Sequence, residues 1–199
     1  MIKLLKYRAA LLTVLFGLFG GAISQLLVID EMTWYYTALA SILALVINLL
    51  ASFLLKGRWN ARVKNYTKIT TVVFFFALVA SLYFHTKYFM EGTFPYTDFE
   101  NKVSYFVKGS EYTAAAMEFK KENPLIVSDA DLIREGFGSP AEKGKVWTEQ
   151  SINQTKLKLI STYSLIIIFF VSLISILIEV LMGKYGKTTA RSFESLIEK

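Results

Sequence analysis

Residues 159–182 read LISTYSLIIIFFVSLISILIEVLM, and this stretch decides the class of fold. It contains a single charged residue, Glu179. A helix needs about 20 mostly apolar residues to cross about 30 Å of hydrocarbon, and this stretch meets that length. The sequence therefore predicts a membrane helix here rather than a segment of a soluble core.

Three further stretches have a similar length and composition, at about 9–29, 34–55 and 69–88. Only 19% of the 199 residues are charged, against about 25% in a typical soluble domain, and 54% are hydrophobic. The stretch 9–29 is longer than the apolar region of a signal peptide, and no clear cleavage site follows it. We therefore predict an all-α integral membrane protein with four transmembrane helices.

Basic residues predict the orientation of these helices, because Lys and Arg in short loops favour the cytoplasmic side. The start of the chain, the loop 56–68 and the tail after 182 together carry a net charge of +10. The charged residues of the connection between the first two helices are Asp30 and Glu31, and it holds no Lys or Arg. We expect a multi-pass protein of the plasma (inner) membrane, of the bacterial type, with both termini and the loop 56–68 in the cytoplasm.

The same basic segments bear on the protein's partners. Cytoplasmic basic loops are attracted to anionic lipid, so the lipid bilayer is the first expected partner. No basic fold or RNA-binding motif accompanies the charge, and we expect no nucleic-acid partner.

The segment 91–155 is the longest connection, and this topology places it outside the cytoplasm. It holds eleven acids and seven basic residues, a net charge of −4. Its length is near the lower bound for an independent fold. We predict a small, mostly α-helical extracytoplasmic domain inserted between helices 3 and 4, which divides the chain into 1–90, 91–155 and 156–199.

Local signals predict the elements of this domain. Capping residues, prolines and glycines mark where its helices begin and end. If the last helix is unbroken to Met182, it is about 50 Å long. The expected elements are a strand over 103–107, a helix over 111–121 capped by Ser110, a helix over 129–135 between Ser128 and Gly136, a capping box over 139–142, and a helix from Thr148 into the fourth span.

Small and weakly polar residues line one face of each of the first two helices. Gly17 and Gly21 form a G-x-x-x-G motif, and Ser41, Ala44 and Asn48 repeat the spacing. Such residues let membrane helices approach closely, either within a four-helix bundle or between copies in a homo-oligomer. The Asn48 amide needs a polar partner, either in the bundle interior or in a ring of amides that lines a pore.

Two other polar residues lie within predicted spans. Glu179 is expected to snorkel to the interface or to pair with Lys184 or Arg58; the alternative is a proton- or cation-linked carboxylate. His85 lies near the outer end of the third span, where a histidine usually sits at headgroup level; a pH-sensing role is the alternative.

Aromatic residues cluster in the predicted extracytoplasmic domain. They are typical of an interfacial aromatic belt with a small core, or of a docking surface for a ligand or partner. The residues that would form this surface are Phe94, Tyr96, Phe99, Tyr105 and Trp147.

The composition narrows the possible chemistry. The chain has no cysteine and one histidine, which excludes a disulfide framework, a thiol nucleophile and Cys-ligated metals, and disfavours His-rich metal sites. No catalytic motif is found. We predict a non-enzymatic protein with no catalytic residue, metal ligand or cofactor.

Three functional hypotheses follow from this sequence. The first is sensing or relaying through the extracytoplasmic domain, as a homo-oligomer or as the membrane subunit of a larger assembly. The second is an oligomeric membrane-perturbing effector or small channel, for example in bacterial phage defence. The third is an accessory subunit of a transporter or membrane enzyme.

Overall fold

The structure is a computed structural model that describes residues 29–55, 61–97 and 101–197. From residue 182 on, it describes the backbone alone. The described part is mostly helical and contains three helices that are long and apolar enough to cross a membrane. The predicted span 9–29, with Gly17 and Gly21, lies outside the described residues except for Ile29. A fourth span therefore stays a prediction.

The elements follow one another with short connections. A 3₁₀ turn covers Asp30–Met32, a π-helical turn covers Leu132–Phe137, and a second 3₁₀ turn covers Pro140–Glu142. The helices and strands are α1 (Thr33–Leu55), α2 (Ala61–Gly92), β1 (Thr93–Thr97), β2 (Val103–Val107), α3 (Ala114–Glu122), α4 (Asp129–Asp131), α5 (Lys143–Val146) and α6 (Glu149–Ile197).

Helix α1 coincides with the second predicted span, but α2 is longer than the third. Residues 61–68 are helical, so the predicted loop 56–68 is wrong over that part. Lys and Arg are good helix formers, and no glycine or proline interrupts these positions. The basic residues Arg62, Lys64 and Lys68 thus lie on the first turns of a helix.

Helix α6 is unbroken over 49 residues, which corresponds to about 73 Å. The predicted start is confirmed, since the Ser151 backbone N–H donates to the Thr148 hydroxyl at 3.4 Å. The helix continues beyond Met182, where the sequence predicted only a tail.

The described residues form two compact units, whose boundaries fall within α1, α2 and α6. The helical unit comprises residues 39–55, 61–80 and 164–197. The mixed unit comprises residues 29–38, 81–97 and 101–163.

A two-stranded antiparallel sheet belongs to the mixed unit. β1 pairs with β2, with Phe94 opposite Phe106 and Tyr96 opposite Ser104. The strand over 103–107 was predicted, but β1 was not, and the all-α prediction is wrong at this point. Pro95 is tolerated because each strand of a two-stranded sheet has a free edge.

Helix α3 starts later than predicted, and its cap is Thr113 rather than Ser110. The Thr113 hydroxyl accepts a hydrogen bond from the Ala116 backbone N–H at 3.2 Å. Tyr112 is held in an isolated β-bridge with Trp147, which keeps the chain extended before the helix. This long-range pairing explains why α3 begins later than the local signals predicted.

The Ser128 cap is confirmed, since its hydroxyl accepts from the Asp131 backbone N–H at 3.0 Å. The predicted stop at Gly136 is wrong, because the chain continues as the π-helical turn and ends at Gly138, with φ of 91°. Gly136 instead allows close packing: a Cβ there would lie 2.7 Å from Phe119 Cε1. The predicted capping box is also wrong, since Ser139 makes no side-chain capping bond.

Candidate functional site

Glu31 stands at the centre of a polar cluster in the mixed unit. Its carboxylate accepts a hydrogen bond from the Val107 backbone N–H at 2.7 Å. It also pairs with the ammonium of Lys143 and lies 3.9 Å from that of Lys156. One side chain from the 3₁₀ turn therefore connects β2, α5 and α6.

The Glu31–Lys143 pair is largely withdrawn from solvent, with side chains 22% and 13% exposed. Burial lowers the pKa of Lys143, and the hydrogen bond to Glu31 opposes this shift. A partly buried pair of this kind is costly to break, because the remaining charge loses its partner. The arrangement suits a structural clamp.

A second polar cluster surrounds Asp129. Its carboxylate accepts from the Lys108 ammonium at 2.6 Å and from the Tyr112 hydroxyl at 2.9 Å. The Lys120 ammonium lies 4.4 Å from the centre of the Tyr112 ring. The acidic first turn that the sequence indicated is thus anchored to the segment after β2.

The aromatic core of the mixed unit lies beside these clusters. Trp147 is 1% exposed, and its ring centroid lies 5.4 Å from that of Phe94 and 6.1 Å from that of Tyr112. Phe94 is also buried. Both were candidates for a docking surface; their burial corrects this, because they fill the core instead.

The other candidates for that surface differ from one another. Tyr105 is exposed, and its ring packs on that of Phe89 at 5.2 Å. Tyr96 is half-buried, with the Arg134 guanidinium 5.4 Å from its ring centre. Phe99 lies outside the described residues. A docking surface over these positions stays a prediction.

His85 is fully buried in the mixed unit. Its expected position at headgroup level stays a prediction. Its Nδ1 lies 2.8 Å from the Thr162 hydroxyl. That hydroxyl has one hydrogen, directed to the backbone carbonyls of Lys158 and Leu159 at 2.8 and 3.1 Å. We therefore assign the hydrogen of the neutral ring to Nδ1, which donates to Thr162.

Two rings enclose this histidine. The Tyr36 ring stacks on that of Tyr163 at 4.3 Å and lies edge-on to His85 at 6.5 Å. Among the described residues, the Tyr36 hydroxyl and His85 Nε2 are the buried side-chain polar atoms with no hydrogen-bond partner. The cluster is a third polar site, which hydropathy did not reveal.

Asn48 belongs to the helical unit, and its side-chain oxygen accepts a hydrogen bond from the Ser175 hydroxyl at 3.3 Å. This contact supplies the partner that a bundle interior was expected to provide. On the same helix, Ala44 is half-buried and Ser41 is exposed. No residue in the most apolar window of α1 is buried.

Glu179 is buried in the same unit and accepts a hydrogen bond from the Ser52 hydroxyl at 3.0 Å. The predicted partners lie outside the part described, since Arg58 and the Lys184 side chain are not in it. Across residues 29–55, 61–97 and 101–197, no group of three or more metal-binding side chains is found.

Sequence reasoning treated Glu31 only as a marker of topology. Its role depends on residues more than 70 positions away, such as Val107. The available signal was an acid within a short connection that contains no basic residue.

The chain matches no protein-family model, no curated protein and no solved structure among those compared.

Proposed function

We propose that the protein is a non-enzymatic plasma-membrane relay, in which the mixed unit senses a ligand or partner outside the cytoplasm and α6 carries the response. The observation that carries this proposal is the unbroken course of α6. The helix begins beside the core residue Trp147 and continues through a stretch apolar enough to span a membrane. A continuous helix transmits a displacement that a flexible linker would absorb.

The Glu31 cluster supports the same proposal. Lys156 lies in α6, and Glu31 joins it to Lys143 and to the hairpin through Val107. A rearrangement of the hairpin or of α5 therefore acts on α6 through a charged contact. Such a contact is a two-state element, formed or broken, which a relay requires.

The orientation in this proposal depends on the basic residues. The connection after the first predicted span and the segment 91–155 are expected on the same side of the membrane. The packing of residues 29–38 and 81–163 within one compact unit supports this expectation. We propose that this unit faces outward and that the protein acts as a homo-oligomer or with a membrane partner.

The relay is tested with spin labels, which the absence of native cysteine makes site-specific. A label pair at Gln150→Cys and Leu177→Cys in liposomes should give one narrow distance of about 40 Å if α6 is straight. A broad distribution would contradict a rigid α6.

Transmission is then measured with a single label at Leu177→Cys. Breaking the cluster with Glu31→Gln should change its mobility, because Lys156 loses a charged partner. Leu157→Gly with Lys158→Gly, two exposed positions, should abolish that change by weakening the helix between the label and the cluster. The matched control is alanine at both positions. Equal responses in the glycine and alanine variants would contradict the relay.

The channel hypothesis has a separate outcome. Liposomes containing the protein should retain an encapsulated dye if the protein is a relay. Leakage that Asn48→Leu abolishes would support a pore instead. The oligomeric state in mild detergent, with co-purifying proteins identified, distinguishes a homo-oligomer from a subunit of a larger assembly.

A further inference from the structure

The helical unit contains a cavity of about 470 Å³ between its three helices. This volume lies within the range of about 300–1,000 Å³ that is typical of ligand pockets. Its walls are mostly apolar and include Ile47 and Ala51 of α1, Val63 and Phe74 of α2, and Ser172 of α6.

The cavity has a length and a direction. The lining residue Ile47 lies eight residues, about 12 Å, from the end of the span 34–55, and Ser172 lies ten residues, about 15 Å, from the end of the span 159–182. Half of a hydrocarbon core of about 30 Å is about 15 Å. The cavity therefore reaches from one end of the span to about the middle of a bilayer, the depth of a single lipid leaflet.

Three basic residues are close in sequence to lining residues of α2, at the end of the cavity that would lie at the membrane surface. Arg62, Lys64 and Lys68 lie on the same first turns of α2 as the lining residues Val63 and Thr67. All three side chains are exposed. Glu179, an acid of α6 in this unit, is buried against Ser52 and is not among the described lining residues.

We propose that this cavity binds an anionic phospholipid, with an acyl chain between the helices and the phosphate beside Arg62, Lys64 and Lys68. Apolar walls of one-leaflet depth with a basic rim match an amphiphile that carries negative charge at one end. Basic pockets between membrane helices bind anionic headgroups in this way. The inference goes beyond the relay and does not depend on it.

The test reconstitutes the full chain in vesicles of phosphatidylcholine with a minor fraction of phosphatidylglycerol. Native mass spectrometry after mild extraction then measures which lipid stays bound. We expect retained phosphatidylglycerol to exceed its share of the vesicle severalfold, since each basic residue near an anionic surface contributes about fivefold. Retention in proportion to vesicle composition would overturn the proposal.

Two triple variants test the contribution of the rim, which comprises Arg62, Lys64 and Lys68, separately from that of the cavity. Replacement of Arg62, Lys64 and Lys68 by Gln should remove the preference for phosphatidylglycerol. Gln at Lys87, Lys121 and Lys158, which gives the same net charge, should leave the preference intact. The rim residues are exposed, so this comparison does not depend on a rearranged core. Equal effects of the two triple variants would overturn the proposal.

The cavity itself is tested by filling it. Ala51→Phe should reduce the retention of both lipids, whereas Leu49→Phe, at an exposed position of the same helix, should not. Glycerol phosphate, which carries the charge without a chain, should not displace the bound lipid. Three results would each overturn the proposal. The first is displacement by glycerol phosphate, and the second is a dimer that excludes lipid from the cavity. The third is a cross-link between Ala51→Cys and a cysteine introduced within 9–29 that excludes lipid.

Discussion

Phe94 in the mixed unit is 2% exposed, and Phe53 in the helical unit is 75% exposed. The two units differ in the side chains that they bury. The mixed unit buries Phe94 and Trp147, although Leu125 is exposed in it, whereas α1 in the helical unit exposes Ile42, Leu45 and Phe53. Two different kinds of packing thus occur in one chain.

The difference is the one expected if the mixed unit lies in water and the helical unit in lipid, as the proposed topology places them. A segment in water must bury its apolar side chains to offset the loss of chain entropy, and a small one must do so with few residues. A helix in lipid gains nothing by hiding leucine from hydrocarbon, so its contacts are made by small and polar groups. Contacts such as Ser175 with Asn48 and Ser52 with Glu179 have that character.

The most severe test of this contrast exchanges phenylalanine for alanine in each unit. Phe94→Ala should destabilise the mixed unit by about 3–5 kcal/mol, because it leaves a cavity against Trp147. Phe53→Ala is the matched control and should change stability little. Thermal unfolding of the full chain in detergent measures both. The Phe94 variant would contradict the assigned core if it unfolded like the unmodified protein.

The second test concerns the Glu31 clamp. Glu31→Gln should cost about 2–3 kcal/mol, because the partly buried Lys143 loses its counter-charge and Val107 loses a charged acceptor. Glu142→Gln breaks the exposed pair with Lys145 and should cost less than about 1 kcal/mol. Denaturant titration of the mixed unit's tryptophan fluorescence compares the two variants. Similar losses in both would show that Glu31 is no more than a surface charge.

The helical unit is the part that sequence predicts well. A long uncharged stretch has one common structural outcome, so α1 and the core of α6 were expected at nearly their observed positions. The error over 61–68 arose because basic residues were read as a loop, although Lys and Arg are compatible with a helix. Residues 9–29 stay a prediction.

The mixed unit is harder to predict because its elements depend on partners far along the chain. The strand over 103–107 has a local β-prone pattern, but β1 contains Pro95 and exists only through its pairing with β2. The cap at Thr113 replaced Ser110 because Tyr112 bridges to Trp147. Likewise, hydropathy gives no sign that His85 meets Thr162.

A third test sharpens the contrast at the backbone. Gly109 is buried, and a Cβ there would lie 2.7 Å from Trp147 Cβ and collide with Ser151. Gly109→Ala should therefore cost about 1–3 kcal/mol through overpacking. Gly144→Ala meets no atom within 4 Å and lies in a helix, so stability should be unchanged or slightly higher. Thermal unfolding compares the stability of the two variants. If Gly109→Ala is as stable as the unmodified protein, α6 is loosely packed at its start.

The smallest expected effect compares two hydroxyls of α6. Thr162→Val removes the acceptor for His85 Nδ1 in the mixed unit and should cost about 1–2 kcal/mol. Ser175→Ala removes the donor to Asn48 in the helical unit and should cost about 0.6 kcal/mol, the average for hydrogen bonds between membrane helices. Thermal unfolding in the same detergent measures both losses.

Nitrogen NMR adds a readout that stability alone does not give, because His85 is the single histidine and selective labelling reports on it alone. The unmodified protein should show hydrogen on Nδ1 of the neutral ring, and Thr162→Val should shift that resonance while Ser175→Ala leaves it in place. A ring that carries its hydrogen on Nε2 would reverse the assigned direction of the bond. The buried Nε2 would then be a donor with no acceptor among the described residues.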